Sequence, residues 1–265
     1  MLISTFNINS INARLEQFVA WLNEKKPDIV LLQELKCDFN SFPFFEINMA
    51  GYDAKIVAQK AYNGVAILSR HKIKTVCEKL PDFDDDNARY LEATINVKGT
   101  DIQVISVYFP NGNPPYNNLS DNSKFIYKLN FTDAFYRHMQ SLIVNHEKIV
   151  IGGDFNVILT DNDVYNPELF ANNALYKDSV KRRLKALMYL GFYDAYRVIN
   201  PQKIGYTYWD YANRAFEQDL GLRIDYLLLS PTLTDALTNC YVDKTLRAKE
   251  KPSDHTVLSA EIDIW

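Results

Sequence analysis

An acid and an amide follow a short apolar run near the middle of the chain. The run Ile149–Ile151 is β-branched and apolar, which predicts a buried strand. Gly152 and Gly153 come next, and we expect them to let the backbone turn or approach something closely. Asp154 and Asn156 stand two positions apart, so an extended backbone would point both side chains to one side. The stretch fits either an ordinary turn or a strand end that delivers a carboxylate and a carboxamide to one site.

Further polar side chains stand where other apolar runs end. They are Asn7 after the run that begins at Leu2, Glu34 after residues 29–32, and Asp254 with His255 just before residues 257–262. Asp225 is different, because it lies inside the apolar run 224–229, where a carboxylate is costly to bury without a partner. An ion pair with His255 would supply that partner and would stabilise the imidazole in its cationic form.

These residue types point to one kind of chemistry. Three or four carboxylates and two carboxamides, with no cysteine among them, suit a hard oxygen-binding cation such as Mg²⁺. Mg²⁺ with an activated water is a standard means of cutting phosphate esters. Asn7 or Asp254 alone would more often be a cap or a turn residue, so the prediction depends on the convergence of the whole set.

The elements that must position these groups can be predicted from hydrophobic periodicity. Helices are expected from Ile11 to Leu22, capped by Asn9 or Ser10, over residues 131–143, and from Asp178 onward. Strands are expected at residues 2–6, 29–32, 65–68, 90–97 paired with 102–108, 149–154, 223–229 and 257–262, with a loop at 110–115. No linker divides the chain, so the pattern predicts one α+β domain spanning residues 1–265, with antiparallel-leaning sheets covered by helices.

Composition narrows the class of protein. Hydrophobic residues make up 47% of the 265 residues, enough for a sizeable core. The formal net charge of −4 argues against binding nucleic acid by bulk attraction but allows a local basic groove. The three cysteines are scattered without a CxxC pair, which fits reduced thiols in a cytoplasmic protein and argues against a cysteine-based zinc site. Neither a signal peptide nor a membrane-spanning segment is expected.

Two basic stretches could face phosphates. Lys181, Arg182, Arg183 and Lys185 share the outer face of the helix predicted from Asp178. This face is either a solvated helix surface or a phosphate-contacting one, and both interpretations stay open at this point. Basic residues at positions 244, 247, 249 and 251 form the second stretch, and the two could contact phosphates on either side of a site.

Six short motifs occur in order along almost the whole chain. They are Phe6-Asn7-Ile8-Asn9, Leu32-Gln33-Glu34-Leu35-Lys36, Val107-Tyr108-Phe109-Pro110-Asn111-Gly112, Gly152-Gly153-Asp154-Phe155-Asn156, Gly221-Leu222-Arg223-Ile224-Asp225-Tyr226 and Lys251-Pro252-Ser253-Asp254-His255. In this order they resemble the exonuclease III family of abasic-site (AP) endonucleases, within the endonuclease/exonuclease/phosphatase superfamily. The resemblance implies a DNase I-like α/β (α+β) fold, a four-layer sandwich of two packed mixed β-sheets flanked by helices, with the site at the strand ends.

The resemblance also implies roles for the polar residues. Glu34 would be the main Mg²⁺ ligand, assisted by Asn7, and Mn²⁺ would be an acceptable substitute for Mg²⁺. Asp154 would orient or deprotonate the attacking water, and Asn156 would hold this water or the phosphate, so that both also belong to the metal site. The two glycines before Asp154 would clear room for a phosphate backbone.

Four further residues complete the implied catalytic group. His255 would contact the scissile phosphate, positioned by Asp225, and would stand among the metal ligands. Asp254 would serve a second metal position or the leaving-group side. Tyr108 would act near the leaving oxygen or the phosphate, and its role is left open.

The resemblance places other residues against the substrate. Asn111 matches a DNA-contacting asparagine. Tyr208 and Leu222 fall where the family lines its abasic-sugar pocket with bulky apolar residues, and some members have a tryptophan at one of these places. This difference leaves the balance of exonuclease and endonuclease activity open. Arg182 and Arg183 would bind DNA phosphates if their helix faces the substrate.

The function implied is that of a Mg²⁺-dependent DNA repair hydrolase of the exodeoxyribonuclease III or AP endonuclease type. It would cut double-stranded DNA 5′ to an abasic site, leave a 3′-hydroxyl, and trim blocking groups or nucleotides from 3′ ends. A base-less sugar leaves the helix at lower cost than an intact nucleotide, so a small pocket could select it. We expect a monomer that acts in the cytoplasm, in association with the nucleoid if the source is bacterial, and has no membrane partner.

Two alternatives stay open. One is a superfamily phosphodiesterase acting on inositol phosphates, sphingomyelin or RNA tails. Phosphodiesterases of this kind that use a second catalytic histidine are disfavoured, because no second histidine stands in a matching motif. The other alternative is a non-catalytic DNA-binding relative, which the intact set of acids with His255 argues against.

Overall fold

Two six-stranded β-sheets form the framework of the computed structural model, which describes residues 1–113 and 122–264. The strands are β1 (Leu2–Asn7), β2 (Ile29–Gln33), β3 (Asp53–Val57), β4 (Val65–Ser69), β5 (Ile73–Cys77), β6 (Tyr90–Val97), β7 (Thr100–Tyr108), β8 (Ile149–Asp154), β9 (Tyr193–Asp194), β10 (Asp225–Leu229), β11 (Leu237–Asp243) and β12 (Val257–Ile262). One sheet has the order β11-β12-β1-β2-β4-β3, and the other has the order β5-β6-β7-β8-β10-β9. Both contain parallel and antiparallel neighbours.

Helices pack against both sheets. They are α1 (Ile11–Lys25), α2 (Phe44–Met49), α3 (Ser123–Asn145), α4 (Pro167–Phe170), α5 (Asp178–Tyr189), α6 (Ala195–Ile199) and α7 (Pro231–Asp235). One apolar cluster joins α1 to the outer face of the first sheet, and a second joins α3 and α5 to the outer face of the other. A third, which includes Leu31, Val150 and Leu227, lies between the sheets. These layers confirm the predicted four-layer sandwich, in which each fully buried apolar side chain contributes about 1.5–3 kcal/mol.

Strand register brings the ends of several strands to one place. β1 and β2 are parallel, with Asn7 opposite Gln33, so Glu34 follows directly at the same edge. β7 and β8 are also parallel, with Tyr108 opposite Asp154. β10 runs antiparallel to β8 and begins with Asp225 opposite Asp154. Asp154, at the end of β8, therefore lies among the carboxyl ends of β1, β2 and β7 and the start of β10.

The two glycines before Asp154 lie inside β8 and not in a turn. A Cβ atom on Gly153 would stand 1.8 Å from the carbonyl oxygen of Val107. A Cβ atom on Gly152 would stand 2.5 Å from Leu31 and 2.8 Å from Leu227. The expectation that these glycines clear room for a phosphate backbone is wrong, because protein atoms fill the space beside them. They instead allow strands and sheets to approach closely.

The other predicted elements are present with shifted ends. The strand predicted from residue 223 begins at Asp225, which is its first residue and not an interior one. Asn9 and Ser10 do not cap α1 through their side chains: Ser10 holds the N-cap position with φ of +84° and makes no side-chain cap bond, and Asn9 bonds to Asp254 instead. The predicted loop 110–115 is described only as far as Asn113. None of the helices in the described ranges is long and apolar enough to cross a membrane.

Candidate active site

An open cleft of about 520 Å³ lies over the strand ends around Asp154. The predicted residues that line it are Glu34, Tyr108, Asn111, Asp154, Asn156, Tyr208, Leu222, Asp254 and His255. Asn7 and Asp225 are fully buried and hydrogen-bond to residues of the lining. The fold therefore brings almost the whole predicted set to one place.

Glu34 is a firmly held carboxylate on one side of the cleft. Its Oε1 accepts hydrogen bonds from Asn7 Nδ2 at 2.9 Å and from the Tyr108 hydroxyl at 2.8 Å. Its Oε2 lies 2.7 Å from Lys36 Nζ. Burial raises the pKa of Glu34, but the hydrogen bonds from Asn7 and Lys36 outweigh that effect, and the net pKa lies below its usual value. Glu34 is therefore ionised at neutral pH.

Tyr108 supports Glu34 as a neutral phenol. Burial raises its pKa well above the usual 10, and the nearby charges of Glu34 and Asp154 raise it further. The hydroxyl remains protonated and donates its hydrogen to Glu34. The geometry thus favours a supporting role for Tyr108 over that of a phenolate base.

Asp154, His255 and Asp225 form a row of alternating charge. His255 Nδ1 lies 2.8 Å from Asp225 Oδ2, which confirms the predicted pair. On its other side, His255 Nε2 lies 3.6 Å from Asp154 Oδ2. Asp154 Oδ2 also accepts a hydrogen bond of 3.0 Å from Asn7 Nδ2, so Asn7 joins Asp154 to Glu34. The imidazole is thereby held between two buried carboxylates.

This arrangement sets the protonation state of His255. Burial lowers its pKa, but the charges of Asp225 and Asp154 outweigh burial and raise the pKa to about 10. His255 is therefore an imidazolium at neutral pH. A protonated imidazole has no free lone pair to offer a metal ion. This protonation state therefore favours the predicted phosphate contact of His255 over its predicted role as a metal ligand.

Asp154 responds in the opposite sense. Burial raises its pKa, the charge of His255 opposes this, and the charges of Asp225 and Glu34 add to it, so that the pKa reaches about 7. A carboxylate with a pKa near neutrality is suited to accept a proton from a water molecule at physiological pH. The role of Asp154 in orienting or deprotonating the attacking water stays a prediction.

Asn156 and Asn111 form a second, polar side of the cleft. Asn156 follows β8 with φ of +51°, and its main-chain N–H donates to Asp154 Oδ1 at 2.9 Å. Its Nδ2 donates to Phe109 O at 3.0 Å, and its Oδ1 accepts from Asn111 Nδ2 at 3.2 Å. The main-chain carbonyl groups of both asparagines accept hydrogen bonds from Lys128 Nζ. Sequence reasoning missed Lys128, because nothing distinguishes it from an ordinary lysine of an amphipathic helix.

A chain of polar contacts connects Glu34 to Asp254 across the mouth of the cleft. Lys36 Nζ donates to Asn9 Oδ1 at 2.6 Å, and Asn9 Nδ2 donates to Asp254 Oδ1 at 2.9 Å. Lys36 and Asn9 lie within the sequence motifs around Glu34 and Asn7, and that position was the available signal for a role at the site.

An apolar wall flanks His255. The Tyr208 ring packs edge-on against the His255 ring, with 5.0 Å between ring centroids. Tyr208 is paired with Leu222 through an isolated β-bridge. Phe170 and Leu175 also line this cleft. The wall lies where the pocket for a sugar was predicted.

Arg182 and Arg183 do not line the cleft. Arg183 forms a two-point ion pair with Asp133 of α3, through Nε at 2.7 Å and one terminal nitrogen at 2.8 Å. Arg182 is exposed. Arg183 therefore joins α5 to α3, whereas the contact of Arg182 with DNA phosphates stays a prediction.

The charge balance of the cleft fits a divalent cation. Asp225 has one buried carboxylate oxygen, Oδ1, without a hydrogen-bond partner. Asp154, Asp225 and His255 can bring ligand atoms within 4.8 Å of one another, but Asp225 and His255 already neutralise each other. The carboxylates of Glu34 and Asp154 remain in excess over Lys36 as a counter-charge. Hard oxygen donors with excess negative charge are suited to a cation such as Mg²⁺.

Comparisons with known proteins identify the family of this chain. Residues 4–255 match the model of the Endonuclease/Exonuclease/phosphatase family. Exodeoxyribonuclease III of Haemophilus influenzae is 29% identical over 97% of this chain and 98% of its own. The solved structure of a 3′ phosphatase from Neisseria, bound to a product DNA hairpin, is 37% identical with a TM-score of 0.94. The structure of an AP endonuclease from Archaeoglobus fulgidus is 35% identical with a TM-score of 0.92, and both structural matches cover 100% of each chain.

The fold, the cleft and these similarities define a hydrolase of the endonuclease/exonuclease/phosphatase family. Within it, the chain belongs to the exonuclease III family and is a nuclease of DNA repair. Metal binding is typical of this family, whose members depend on a divalent cation.

Proposed function

We propose that this nuclease is a Mg²⁺-dependent phosphodiesterase that acts as a monomer on double-stranded DNA. It cuts 5′ to abasic sites, leaves a 3′-hydroxyl, and trims 3′ ends. The observation that carries the proposal is the convergence of Glu34, Asp154 and the imidazolium of His255 on one cleft. Similarity to an AP endonuclease and to a 3′ phosphatase supports both activities.

Each residue has a task that its surroundings allow. Glu34 and Asp154 would hold Mg²⁺, with Asn7 between them and Asp254 available across the cleft. The cation would stabilise the negative charge that develops on the phosphate oxygens. Asp154 orients the attacking water and accepts its proton. His255 donates a hydrogen bond to the phosphate as the charge grows.

The remaining residues position these groups and the DNA. Asp225 keeps His255 protonated and oriented. The carboxamides of Asn156 and Asn111, which hydrogen-bond to each other and line the cleft, would hold the phosphate or the water. Tyr208 and Leu222 form the wall against which a base-less sugar would lie.

A second candidate function is 3′-end processing without cleavage at abasic sites. Similarity to the 3′ phosphatase favours it. A terminal 3′-phosphate can be reached without moving a sugar out of the duplex, so this activity does not need the sugar pocket.

One experiment separates the two functions. Three labelled duplexes carry a single abasic site, a recessed 3′-hydroxyl end or a 3′-phosphate, and each is incubated with Mg²⁺ or with EDTA. The proposal expects Mg²⁺-dependent cleavage of all three, and the second candidate expects cleavage of the last two alone. Metal-independent cutting, or activity only on an RNA tail, sphingomyelin or an inositol phosphate offered in parallel, would contradict both. Glu34→Gln serves as the inactive control.

A further inference from the structure

Lys128 is a fully buried lysine directly beneath one side of the cleft. It lies on α3 and has no exposed surface. Its Nζ donates to Asn111 O at 3.0 Å and to Asn156 O at 2.6 Å. Among the residues that the structure describes, no carboxylate forms a salt bridge with Lys128, although the charge of Asp154 attracts its amino group. Since burying an amino group is costly, two main-chain carbonyls are an unusual pair of partners for it.

The two segments that Lys128 joins are those that carry the cleft asparagines. Asn156 has a left-handed backbone, which a residue with a side chain seldom adopts and keeps only when its surroundings hold it. Next to Asn111, Gly112 packs so closely that a Cβ atom there would stand 2.7 Å from Lys128 Cδ. The lysine therefore fixes both segments through its stem as well as through its amino group.

We propose that Lys128 is a positioning residue that sets the placement of the Asn111 and Asn156 carboxamides in the cleft. It acts through these two residues and does not touch DNA, because it is fully buried. The inference deepens the proposed function, since it needs a phosphate or water held by Asn156. It does not depend on the charge of the lysine, because the ammonium and the neutral amine both offer at least two N–H donors.

The variant that tests this is Lys128→Met, which retains most of the stem and removes the donors. Lys124→Met is the matched control, since Lys124 is exposed one turn earlier on the same helix. Removal of the donors leaves the buried Asn156 carbonyl without a partner and lets the turn shift. A shift of about 1 Å at a positioning group typically costs up to about 100-fold in rate. We expect kcat on whichever duplex the wild type cleaves best to fall about 10- to 100-fold. KM should change less than kcat, and Lys124→Met should match the wild type.

A double-mutant cycle separates positioning from a merely structural role. If Lys128 acts through Asn156, then Lys128→Met should lower kcat little further when Asn156 is already alanine. Fully multiplicative losses, or wild-type kcat in Lys128→Met, would overturn the proposal. Lys128→Gln is made alongside, and global unfolding of both variants by circular dichroism would assign the lysine to the fold alone and overturn it too. Failure of the proposed function is distinguishable, because the wild type itself would then leave the duplexes intact.

Discussion

Asp225→Asn is the sharpest perturbation of the charge row in the cleft. The substitution keeps an oxygen that can accept the 2.8 Å hydrogen bond from His255 Nδ1 and removes only the charge. The rise in the pKa of His255 from 6.5 to about 10 corresponds to roughly 5 kcal/mol in favour of the imidazolium. Asp225 is the largest favourable contributor and lies closer than Asp154. We assign it about half of this energy, roughly 2–3 kcal/mol.

Asp225→Asn should change both the stability of the protein and the pH dependence of its activity. Because the pKa of His255 in the folded protein exceeds its unfolded value, the charge row contributes its full stability below pH 6.5 and loses it as the pH rises through about 10. Asp225→Asn should therefore lower the free energy of unfolding by roughly 2–3 kcal/mol at neutral pH. It should also move the alkaline limb of the kcat profile down by about two pH units, since neutral His255 no longer stabilises the phosphate charge.

Two measurements check this prediction. The first is titration of the histidine ring signals by NMR in EDTA, where the four histidines give a spectrum simple enough to assign. The second is kcat against pH with Mg²⁺ present. Asp235→Asn, which removes an exposed carboxylate on α7, is the control and should leave both curves unchanged. If His255 in the wild-type protein titrates near pH 6.5, or if Asp225→Asn leaves its titration in place, the electrostatic reasoning is refuted.

Three further outcomes are expected. Glu34→Gln keeps the shape of the side chain but removes the charge that would hold Mg²⁺, so cleavage should fall at least about 1000-fold with native circular dichroism; near-normal turnover would remove Glu34 from the site. Arg182→Gln should reduce the slope of the logarithm of DNA affinity against the logarithm of salt concentration by about one, and an unchanged slope would show that Arg182 belongs to the solvated helix surface. Arg183→Gln should mainly lower thermal stability, because it breaks the ion pair with Asp133. Gly153→Ala places a methyl group 1.8 Å from a main-chain oxygen and should cost more than about 2 kcal/mol in urea unfolding, and a smaller cost would show that β8 can shift.

The interior of the fold was predictable from sequence because its elements are apolar on a regular period. β1, β2, β4, β7 and β8 are almost entirely buried, so their runs stand out from the polar segments around them. The strands that periodicity did not predict are β3, β5, β9 and β11, which are the four sheet edges. An edge strand has one neighbour and faces solvent along the other side, so its sequence needs little hydrophobic signal. β3, with the sequence Asp-Ala-Lys-Ile-Val, shows this clearly.

The site was predictable in its carboxylates and less so in the groups that hold them. The ends of β2 and β8 deliver Glu34 and Asp154 to the cleft, and hydrophobic runs mark those ends. Asp225 was expected inside an apolar run but is the first residue of β10. Lys128 could not be found this way, because its burial depends on the docking of α3 over the loop after β7. Asn9 was expected as a helix cap, since capping needs only local sequence, whereas its bond to Asp254 spans almost the whole chain.

Unfavourable backbone conformations are concentrated in the loops that form the cleft. Asn9, Glu34, Lys36 and Asn156 all have positive φ, although none is a glycine, and all lie directly beyond the buried strands β1, β2 and β8. Such backbone conformations persist only where rigid surroundings impose them. The buried strands β1, β2 and β8 provide that rigidity, because each is hydrogen-bonded to neighbours within the four-layer core. Burial raises the pKa of Asp154, and repulsion from the carboxylates of Asp225 and Glu34 raises it further. A divalent cation would relieve this repulsion, so we expect its binding to stabilise the folded protein, and more strongly above pH 7, where Asp154 is ionised. Backbone strain and excess charge are thus the two features by which β8 and its neighbours prepare the cleft for a metal ion and a phosphate.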